Sequence, residues 1–518
     1  MNSDGAPSAG GAGSAAAATS EPLNPYVVSG TKANADALAR AGYDLLEGNA
    51  SGKFGIVATA KQAAALRAQG MTVQAPLGTA ARAGARAAAG LLDNPTYGFD
   101  VFRPWNLTAA PCPTDPTCDT RSLKQIYDDL AKANRDIVTR VVYGRSQNTG
   151  QELVAYKVTS KRGSKRKPTV LYNSVQHARE WIAAETNRRL FDYVVTNKNN
   201  RGTAIPGILM STEVWFVPIV NPDGYDYTFQ SKATRLWRKN LRDVDGDGQI
   251  TSVDGVDPNR NWEVKWNYDL EGSSADSTSE TYHGTAGDSE SEVAALDALT
   301  ARIRPKFQID YHSFGSLILY PEGWQVETLA TDGPLFTALA GDDQDPAIPN
   351  YDPDVSAELY TVNGDITDNA LTKYGTQAVT VELEGGSGDG VGGTQDNDNA
   401  FAPGGFNFQD SEADVQRVFE ENLAYALDFA KSAKDPANPV SHIGNVAPNF
   451  VPTAFTESTG SPQVVEVNAK RSLGRVTVNY RINNGRVRTA PTREFAGGEK
   501  YGHPGVYYHK LRGTVRGA

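Results

Sequence analysis

The stretch Pro168-Thr169-Val170-Leu171-Tyr172-Asn173-Ser174-Val175-Gln176-His177-Ala178-Arg179-Glu180-Trp181 decides the fold of this chain and the position of its site. Its apolar first half predicts a buried strand, and the residues from Trp181 to Val195 predict a helix directly after it. His177 and Glu180 stand three residues apart at the junction. An imidazole nitrogen and a carboxylate oxygen at this spacing can bind one Zn²⁺, whose catalytic sites take three protein ligands and keep a fourth position for water. A third ligand must come from elsewhere in the chain.

A His-x-x-Glu pair by itself is more often a solvated pair on a helix face, so its surroundings decide how it is interpreted. Two further apolar strands carry residues of suitable chemistry. His312 lies near the end of the strand from Phe307 to Phe314, and Glu382 lies inside the strand from Ala378 to Glu384. Because α/β sheets place their sites at strand ends, these residues are candidates for the same site.

Several short motifs occur in a fixed order along the chain. They are His177-Ala178-Arg179-Glu180, Asn221-Pro222-Asp223-Gly224-Tyr225, Arg235-Leu236-Trp237-Arg238-Lys239, Asp257-Pro258-Asn259-Arg260-Asn261-Trp262, His312-Ser313, Tyr360 and Glu382. With them the chain resembles, from about Tyr97 to Ala430, the M14 zinc carboxypeptidases of the carboxypeptidase A/B type, and closely their secreted bacterial members. The resemblance implies an α/β fold with a mixed eight-stranded sheet flanked by helices, and the alternation of predicted strands and helices agrees with it.

The resemblance also implies the chemistry of the site. His177, Glu180 and His312 would hold one catalytic Zn²⁺, which lowers the pKa of a bound water toward 7. Glu382 matches the catalytic glutamate that takes the proton of this water and returns it to the leaving amine. Arg238 matches the arginine that polarises the scissile carbonyl. The structural alternatives are a salt-bridged acid at Glu382 and a surface arginine beside Lys239.

Recognition of a free terminal carboxylate distinguishes an exopeptidase, and a planar guanidinium is the best side chain for it. By resemblance, Asn259 and Arg260 form this clamp, and Tyr360 closes over the substrate as the mobile tyrosine. Arg179 and Arg235 correspond to accessory subsites of the family. Phe314 and Glu384 depart from the animal enzymes, which affects only the expected specificity.

Side-chain preference is set, in the family, between the mobile tyrosine and the catalytic glutamate. Counting without gaps from Tyr360 places the neutral Thr367 at the floor of the specificity pocket, flanked by Asp365 and Asp368, while Ile366 and Leu371 could form an apolar wall. A buried Lys or Arg end needs a paired acid. We therefore predict mixed specificity, with terminal Lys or Arg accepted through Asp365 beside bulky apolar residues.

Composition bounds the class of protein. The chain has 518 residues, of which 21% are charged and 39% hydrophobic, so it is ordinary globular protein with room for several domains. The net charge of −11 argues against a nucleic-acid partner, and no apolar run is long enough to span a membrane. Cys112 and Cys118 close one short loop and favour a disulfide in a secreted enzyme over two free thiols. We expect a monomer.

Five segments are predicted along the chain. Residues 1–24 form a disordered leader, residues 25–76 an α+β domain, residues 77–93 a flexible connector, residues 94–434 the catalytic domain, and residues 441–518 a β-rich, sandwich-like domain that could be incomplete. The first α+β domain has a split βαβ order. The resemblance implies a prosegment that covers the active cleft, against an unrelated accessory domain as the alternative. Arg82 and Arg86 make the connector a cleavage site.

One insertion has the pattern of a calcium loop. Carboxylates stand at loop positions one, three, five and twelve, with Gly at position six, and the candidate ligands are Asp243, Asp245, Asp247, Gln249 and Asp254. Position twelve is Asp rather than Glu, which shortens its reach. The alternative is an array of Asx turns without a metal.

Three functions are compatible with these motifs. The first is a secreted zinc metallocarboxypeptidase that removes C-terminal amino acids from peptides or proteins. The second is an amidase on cell-wall or modified peptides, which the complete carboxylate clamp disfavours. The third is an inactive binding module on the same frame, which the complete set of ligands and base disfavours.

Overall fold

The computed structural model describes residues 23–41, 43–50, 52–74, 102–107, 121–164, 166–269, 271–326, 329–385, 409, 412–452, 462–495 and 504–516. The predicted leader except its last residues, the connector at 77–93 and the Cys112–Cys118 pair lie outside these ranges. In the described ranges, no helix combines the length and apolar character that crossing a bilayer requires.

The N-terminal unit is a small antiparallel sheet with two helices. Its elements are β1 (Leu23–Ser29), α1 (Lys32–Arg40), β2 (Asp44–Ala50), β3 (Lys53–Thr59), α2 (Ala60–Ala68) and β4 (Thr72–Gln74), with the strand order β2-β3-β1-β4. The predicted order of strands and helices is therefore found. Thr59 and Gln62 form a capping box that starts α2, because each side chain accepts from the other residue's backbone N–H.

The central sheet contains eight strands, as the sequence predicts. They are β5 (Val138–Arg145), β6 (Glu152–Val158), β7 (Thr169–Ser174), β8 (Glu213–Val217), β9 (Phe307–Ser313), β10 (Leu317–Tyr320), β13 (Asp352–Val355) and β14 (Gln377–Leu383), in the order β13-β10-β14-β9-β7-β8-β6-β5. Strands β14, β9, β7 and β8 run parallel to one another, and the pairs at the edges include antiparallel ones. A two-residue pair, β11 (Gly341–Asp342) and β12 (Asp345–Pro346), lies outside this sheet.

Helices cover both faces of the central sheet. They are α3 (Leu123–Ala133), α4 (Trp181–Thr196), α5 (Ile205–Ser211), α6 (Pro222–Tyr227), α7 (Ser291–Ile303), α8 (Gly333–Ala340), α9 (Ser356–Leu359), α10 (Ile366–Tyr374) and α11 (Glu412–Ser432). Helices α3, α4 and α11 share one apolar core with the sheet. Helix α7 packs its residues Val293, Leu296 and Leu299 against Leu171 and Trp215 on the opposite face. Helix α3 ends at Ala133, followed by the cap residue Asn134.

The junction of β7 and α4 is a sharp turn at the C-terminal end of the sheet. All six residues of β7 are buried, as expected for a central parallel strand. Val175 then takes a left-handed conformation with φ 60°, which is strained for a β-branched residue. Two backbone bonds, from Val220 N to Ser174 O and from Asn221 N to Val175 O, hold this turn. The strained residue Val175 therefore lies two residues before His177, in the turn that positions this side chain.

The C-terminal unit is one antiparallel sheet in the residues that the structure describes. Its strands are β15 (Phe450–Pro452), β16 (Gln463–Lys470), β17 (Thr477–Tyr480), β18 (Arg488–Glu494) and β19 (Tyr508–Val515), in the order β15-β16-β19-β18-β17. These ranges contain no second layer, so they do not form the predicted sandwich. Asp332 of the central domain accepts from the backbone N–H groups of Val506, Tyr507 and Tyr508 at 2.7, 2.9 and 2.8 Å, which attaches this unit to the central domain.

The N-terminal unit also packs on the central domain. Its apolar core, which includes Leu38, Phe54 and Ile56, extends to Leu236 and Phe314 of the central domain. Both of these residues neighbour predicted site residues in the chain. The N-terminal unit therefore lies over the part of the molecule that carries the candidate site.

Candidate active site

Three side chains from two parts of the chain meet at the end of the central sheet. His177 and Glu180 come from the turn between β7 and α4, and His312 comes from β9. Nδ1 of His177 lies 2.6 Å from Oε1 of Glu180 and 3.0 Å from Nδ1 of His312. Nδ1 of His312 lies 2.9 Å from Oε2 of Glu180. The structure thus brings together the three residues predicted as metal ligands.

The outer nitrogen of each imidazole faces a carboxylate. Nε2 of His177 lies 3.2 Å from Oδ1 of Asp257, and Nε2 of His312 lies 2.7 Å from Oδ2 of Asp310. If each carboxylate accepts a proton from the Nε2 atom that it faces, the neutral ring presents the lone pair of Nδ1 toward Glu180. The two Nδ1 lone pairs and the Glu180 carboxylate would then be three acceptors close together, and they repel one another unless a cation lies between them. Two imidazole nitrogens and one carboxylate are a donor set of catalytic zinc sites, so these residues fit a zinc ion.

The electrostatic field at this point agrees with that fit. Burial alone would lower the pKa of His312, but Asp310 and Glu180 raise it well above its ordinary value. Burial would raise the pKa of Glu180, yet the facing imidazoles of His177 and His312 lower it. Both directions arise because the imidazoles and the carboxylates of this group carry opposite charges that favour one another.

Glu382 lies beside His312 in the central sheet. The strand β14 runs parallel to β9, and Glu382 is paired with His312 in the register, so both side chains point to the same face. Glu382 is 2% exposed. It lines a cleft together with His177, Asn259, Arg260, Leu319, Ser356, Leu359, Tyr360, Val362, Thr380 and Asp365. The structure therefore places the predicted base, one metal ligand, the clamp and the mobile tyrosine around one cleft.

Arg238 is buried and paired, unlike the surface arginine of the alternative interpretation. Its Nε and Nη2 donate to Oδ2 of Asp257 at 3.1 and 3.0 Å. Burial alone would raise the pKa of Asp257, but the charges of Arg238, His177 and Arg260 hold it well below its ordinary value. The Asp257 carboxylate is therefore a fixed negative charge between His177, a predicted metal ligand, and Arg238.

The predicted carboxylate clamp is rigidly placed. Arg260 Nη1 donates to the backbone oxygen of Asn259 at 2.9 Å, and its guanidinium carbon lies 5.9 Å from the ring centre of Tyr360. Oδ1 of Asn259 accepts from Ile366 N at 3.0 Å. Gly364 has φ 73°, and a Cβ there would lie 2.6 Å from Arg260 O, so this close approach requires glycine. The clamp and the loop after Tyr360 are thus packed together.

The two predicted subsite arginines are also buried. Arg179 Nη1 lies 3.5 Å from Leu236 O, and the guanidinium carbon of Arg235 lies 4.5 Å from the ring centre of Trp181. Burial lowers the pKa of Arg235 to about 10. Both positions adjoin the residues against which the N-terminal unit packs.

Asp365 begins α10 and faces the cleft. Its Oδ1 accepts from Thr367 N at 2.7 Å and from Asp368 N at 3.0 Å, which caps the helix, whereas Oδ2 has no hydrogen-bond partner among the described residues. Burial, Asp365 and Glu322 together raise the pKa of Asp368 well above its ordinary value. The acidic part of the predicted pocket is therefore larger than Asp365 alone.

Ile366 and Leu371, suggested above as the apolar wall of the specificity pocket, do not line the cleft. Ile366 packs into the core between the sheet and α7, and Leu371 packs into the main core. The apolar residues that line the cleft are Leu319, Leu359 and Val362. Ungapped counting from Tyr360 does not show which side of α10 faces the core, and this caused the error.

Asp257 and Asp310 were missed as site residues. Each holds the outer nitrogen of a predicted ligand, Asp257 for His177 and Asp310 for His312. Asp310 could have been found from its spacing, because a residue two positions before His312 on a strand shares its face. Asp257 stands in a recognised motif, yet its contact with His177 depends on tertiary structure.

The predicted calcium loop brings together three of its five candidate residues. Carboxylate oxygens of Asp243, Asp245 and Asp254 lie within 4.8 Å of one another, and Asp247 and Gln249 are not part of this group. Both oxygens of Asp254 also accept from the loop, from Val244 N at 2.8 Å and from Thr251 N at 2.9 Å. The loop geometry thus agrees with the array of Asx turns as well as with a cation site.

The sequence is similar to those of known zinc carboxypeptidases. A family model described as "Zinc carboxypeptidase" (Peptidase_M14) matches residues 123–424. Carboxypeptidase A4 of Mus musculus is 36% identical over 209 residues, which are 40% of this chain and 47% of that protein. The zinc carboxypeptidase of Simulium vittatum is 34% identical over 207 residues, which are 39% of this chain and 63% of that protein. The chain thus matches about half to three fifths of the length of these relatives.

A solved structure supports the fold. The crystal structure of the carboxypeptidase A from Helicoverpa armigera superposes with a TM-score of 0.59 and 21% sequence identity. The match covers 80% of this chain and 98% of that chain. The predicted mixed eight-stranded sheet flanked by helices is confirmed.

Proposed function

Because the chain belongs to the zinc carboxypeptidase family, we propose that it is a zinc-dependent metallocarboxypeptidase, which hydrolyses the C-terminal peptide bond of peptides or proteins. One observation carries the proposal. His177, which converges with Glu180 and His312, lines the same cleft as Arg260 and Glu382. A metal site, a cation for a terminal carboxylate and a carboxylate base in one cleft are the parts that exopeptidase chemistry needs.

The proton transfers belong to Glu382 in this proposal. A zinc ion held by the three ligands would act as a Lewis acid that acidifies a water and polarises the scissile carbonyl. Glu382 accepts the proton of the attacking water on a carboxylate oxygen and delivers it to the leaving nitrogen as the C–N bond breaks. Its place beside His312 in the register supports this role.

The other side chains bind and orient the substrate. Arg260 and Asn259 hold the terminal carboxylate, Arg238 stabilises negative charge on the former carbonyl oxygen, and Tyr360 covers the bound end. Arg179 and Arg235 contact residues further along the peptide. The paired, buried guanidinium of Arg238 supports a fixed rather than a mobile role.

Asp365 selects the terminal side chain in this proposal. Asp365 lines a cleft that also contains Leu319 and Val362, and its Oδ2 has no hydrogen-bond partner among the described residues. A terminal Lys or Arg would therefore find an acid, and a bulky apolar residue would find apolar walls. Mixed specificity follows from this combination.

Paired peptide substrates test the main proposal. A blocked dipeptide with a free C-terminus should be hydrolysed, and the same dipeptide with a C-terminal amide should be hydrolysed at least tenfold more slowly, because Arg260 loses its anionic partner. Preference for the amide would favour the amidase alternative. No hydrolysis of either by the zinc-loaded protein would favour an inactive binding module.

The N-terminal unit acts as a prosegment in this proposal. Tyr43 and Leu45 line one part of the cleft together with Arg238, Arg260, Gly272, Thr281 and Tyr360, so the unit would hinder a long substrate. Cleavage near Arg82 or Arg86 should raise the rate on a large peptide. Equal rates for the full and trimmed forms would instead indicate an accessory domain.

The proposal includes four further properties of the chain. They are a structural calcium ion, a Cys112–Cys118 disulfide, secretion and a monomeric state. The three convergent carboxylates support a calcium ion that stabilises the loop. Added Ca²⁺ should then raise the melting temperature of the calcium-stripped chain, because a ligand of the folded state stabilises it by mass action. The variant Asp245→Asn keeps the Asx turn but loses a charge and should respond less. No shift would leave the turn array as the better interpretation.

A further inference from the structure

The C-terminal unit carries a charge opposite to that of the rest of the chain. Residues 441–518 contain eleven Lys and Arg against four Asp and Glu, a net charge of +7, so the remaining chain carries −18. A local excess of one sign raises the concentration of oppositely charged partners at the surface that carries it. The whole-chain charge of −11 therefore conceals a basic unit.

Five arginines concentrate this charge on the β17–β18 hairpin. They are Arg475, Arg481, Arg486, Arg488 and Arg493, and all five side chains are exposed. The sequence between the first and the last of them contains no acidic residue. Within the described residues, these five side chains make no ion pair and no hydrogen bond.

Other arginines of the same unit are paired. Arg471 Nη2 lies 2.7 Å from Glu494 Oε1, and Arg512 Nη2 lies 2.6 Å from Glu466 Oε1. These pairs lie on β18 and β19 or close to them. Among the described residues of this unit, Glu494 and Glu466 pair with Arg471 and Arg512, and no acid pairs with the hairpin arginines.

The hairpin presents its arginines as an extended stripe. Strand β17 is the last strand of the sheet, and its Tyr480 is paired with Arg488 while Thr477 is paired with Pro491. Arg481, Arg486 and Arg488 therefore lie toward the turn, and Arg475 and Arg493 lie at the opposite end. The four-residue strand β17 lies between Arg475 and Arg481 and spans about 13 Å at roughly 3.3 Å per residue. A linear partner can contact both ends at once.

We propose that this hairpin, residues 475–493, is a docking surface for a linear anionic polysaccharide that carries sulfate or carboxylate groups. Guanidinium groups bind such oxyanions with two parallel hydrogen bonds, and clusters of basic residues are typical of heparin-type binding sites. A single-stranded nucleic acid needs aromatic side chains for stacking, and the hairpin offers only the half-buried Tyr480. A lipid bilayer needs apolar anchors, and Val487 is the one large apolar side chain of the hairpin that is exposed.

The C-terminal unit is hydrogen-bonded to the central domain, so a partner bound at the hairpin would also orient the cleft. Asp332 ties the segment Val506–Tyr508 to the central domain through three backbone hydrogen bonds. Asn468 Nδ2 adds a bond to Thr331 O at 2.7 Å. A polymer bound at the hairpin would therefore hold the whole molecule, including its cleft, in one orientation rather than through a flexible tether.

Binding to heparin and to alginate, as sulfated and carboxylated probes, tests the proposal on the full chain. The triple variant Arg481→Gln, Arg486→Gln, Arg488→Gln should bind at least tenfold more weakly than the parent chain, and binding by the parent should weaken as NaCl is raised. The matched control Lys161→Gln, Arg162→Gln, Arg201→Gln removes the same charge from exposed residues of the central domain and should change the affinity less than twofold. Hydrolysis of a small peptide should be equal in all three proteins.

Four results would overturn the proposal. One is no binding of either polysaccharide by the parent chain, and another is equal loss in the hairpin and control variants. The third is tighter binding of a DNA oligonucleotide or of phosphatidylserine vesicles than of both polysaccharides at the same salt concentration. The fourth is self-association of the parent chain that the hairpin variant abolishes, because the hairpin would then bind the acidic part of a second copy.

Discussion

Asp257 joins the imidazole of His177 to the guanidinium of Arg238. One carboxylate oxygen lies 3.2 Å from His177 Nε2, and the other lies 3.0 Å from Arg238 Nη2. The same residue starts the turn that carries the clamp, since its Oδ1 accepts from Asn259 N at 2.9 Å. One buried carboxylate thus contacts a predicted metal ligand, the predicted carbonyl-polarising arginine and the start of the predicted clamp.

Replacing this carboxylate should weaken both metal binding and catalysis. Asp257→Asn removes the negative charge that orients His177, and loss of such a partner costs roughly 10- to 100-fold in metal affinity or activity. Zinc affinity by competition with a chelator and kcat/KM on a short peptide measure the two effects. Asp276→Asn, at an exposed position in a nearby loop, is the control and should change neither. An Asp257→Asn variant with parental zinc affinity would show that the contact is only structural.

Glu382→Gln should keep the fold and the zinc content while losing turnover. The amide cannot accept the proton of the attacking water, and loss of a general base costs roughly 10²- to 10⁴-fold. Glu384→Gln is the matched control, because Glu384 is two residues further on and pairs with Arg417 at 2.8 Å. A Glu382→Gln variant that retains parental kcat would exclude the proton-transfer role.

Asp365→Asn should separate the two substrate classes. Asn can still cap α10 through Oδ1, so the helix should remain, but the charge at Oδ2 is lost. We expect kcat/KM for a terminal Arg to fall at least tenfold and kcat/KM for a terminal Leu to change less than threefold. Equal changes for both substrates, or no cleavage of terminal Arg by the parent chain, would remove Asp365 from specificity and leave an apolar preference.

Glu292 should make the fold less stable as the pH rises. Burial, with the charges of Asp223 and Glu290, raises its pKa to about 7, although backbone N–H groups oppose the shift. Between about pH 4.5 and 7 the folded chain then binds more protons than the unfolded chain, so stability falls as pH rises through this window. Glu292→Gln should therefore increase the unfolding free energy at pH 8 by up to about 3 kcal/mol, and by little at pH 4.5.

Denaturant unfolding at the two pH values measures this difference. The exposed Glu420→Gln is the control and should show no pH-dependent gain. A Glu292→Gln gain of the same size at both pH values would mean that packing, and not ionisation, explains the effect.

The sequence predicted most of the site because its main residues stand in local motifs at the ends of apolar strands. The spacing of His177 and Glu180 and the strand that ends near His312 needed no tertiary information to be recognised. The family and the eight-stranded sheet were inferred correctly from the order of these motifs. Proposed roles such as that of Glu382 remain predictions.

Other features depend on contacts between distant segments. Asp257 meets His177 only after folding, and Ile366 and Leu371 enter the core because of how α10 packs on the sheet. The arginine stripe was hidden by the net charge of −11, which averages a basic unit with an acidic one. Patterns of spacing describe one element at a time, so they do not show which elements meet.

The most direct test of the central claim is the rate of terminal-residue release from a peptide with a free C-terminus, measured on the metal-stripped protein as zinc is added. The account predicts almost no activity without metal, a rise with added zinc and a plateau at about one equivalent, because one set of three ligands would hold the ion. Full activity in a sample that elemental analysis shows to be free of metal would contradict it.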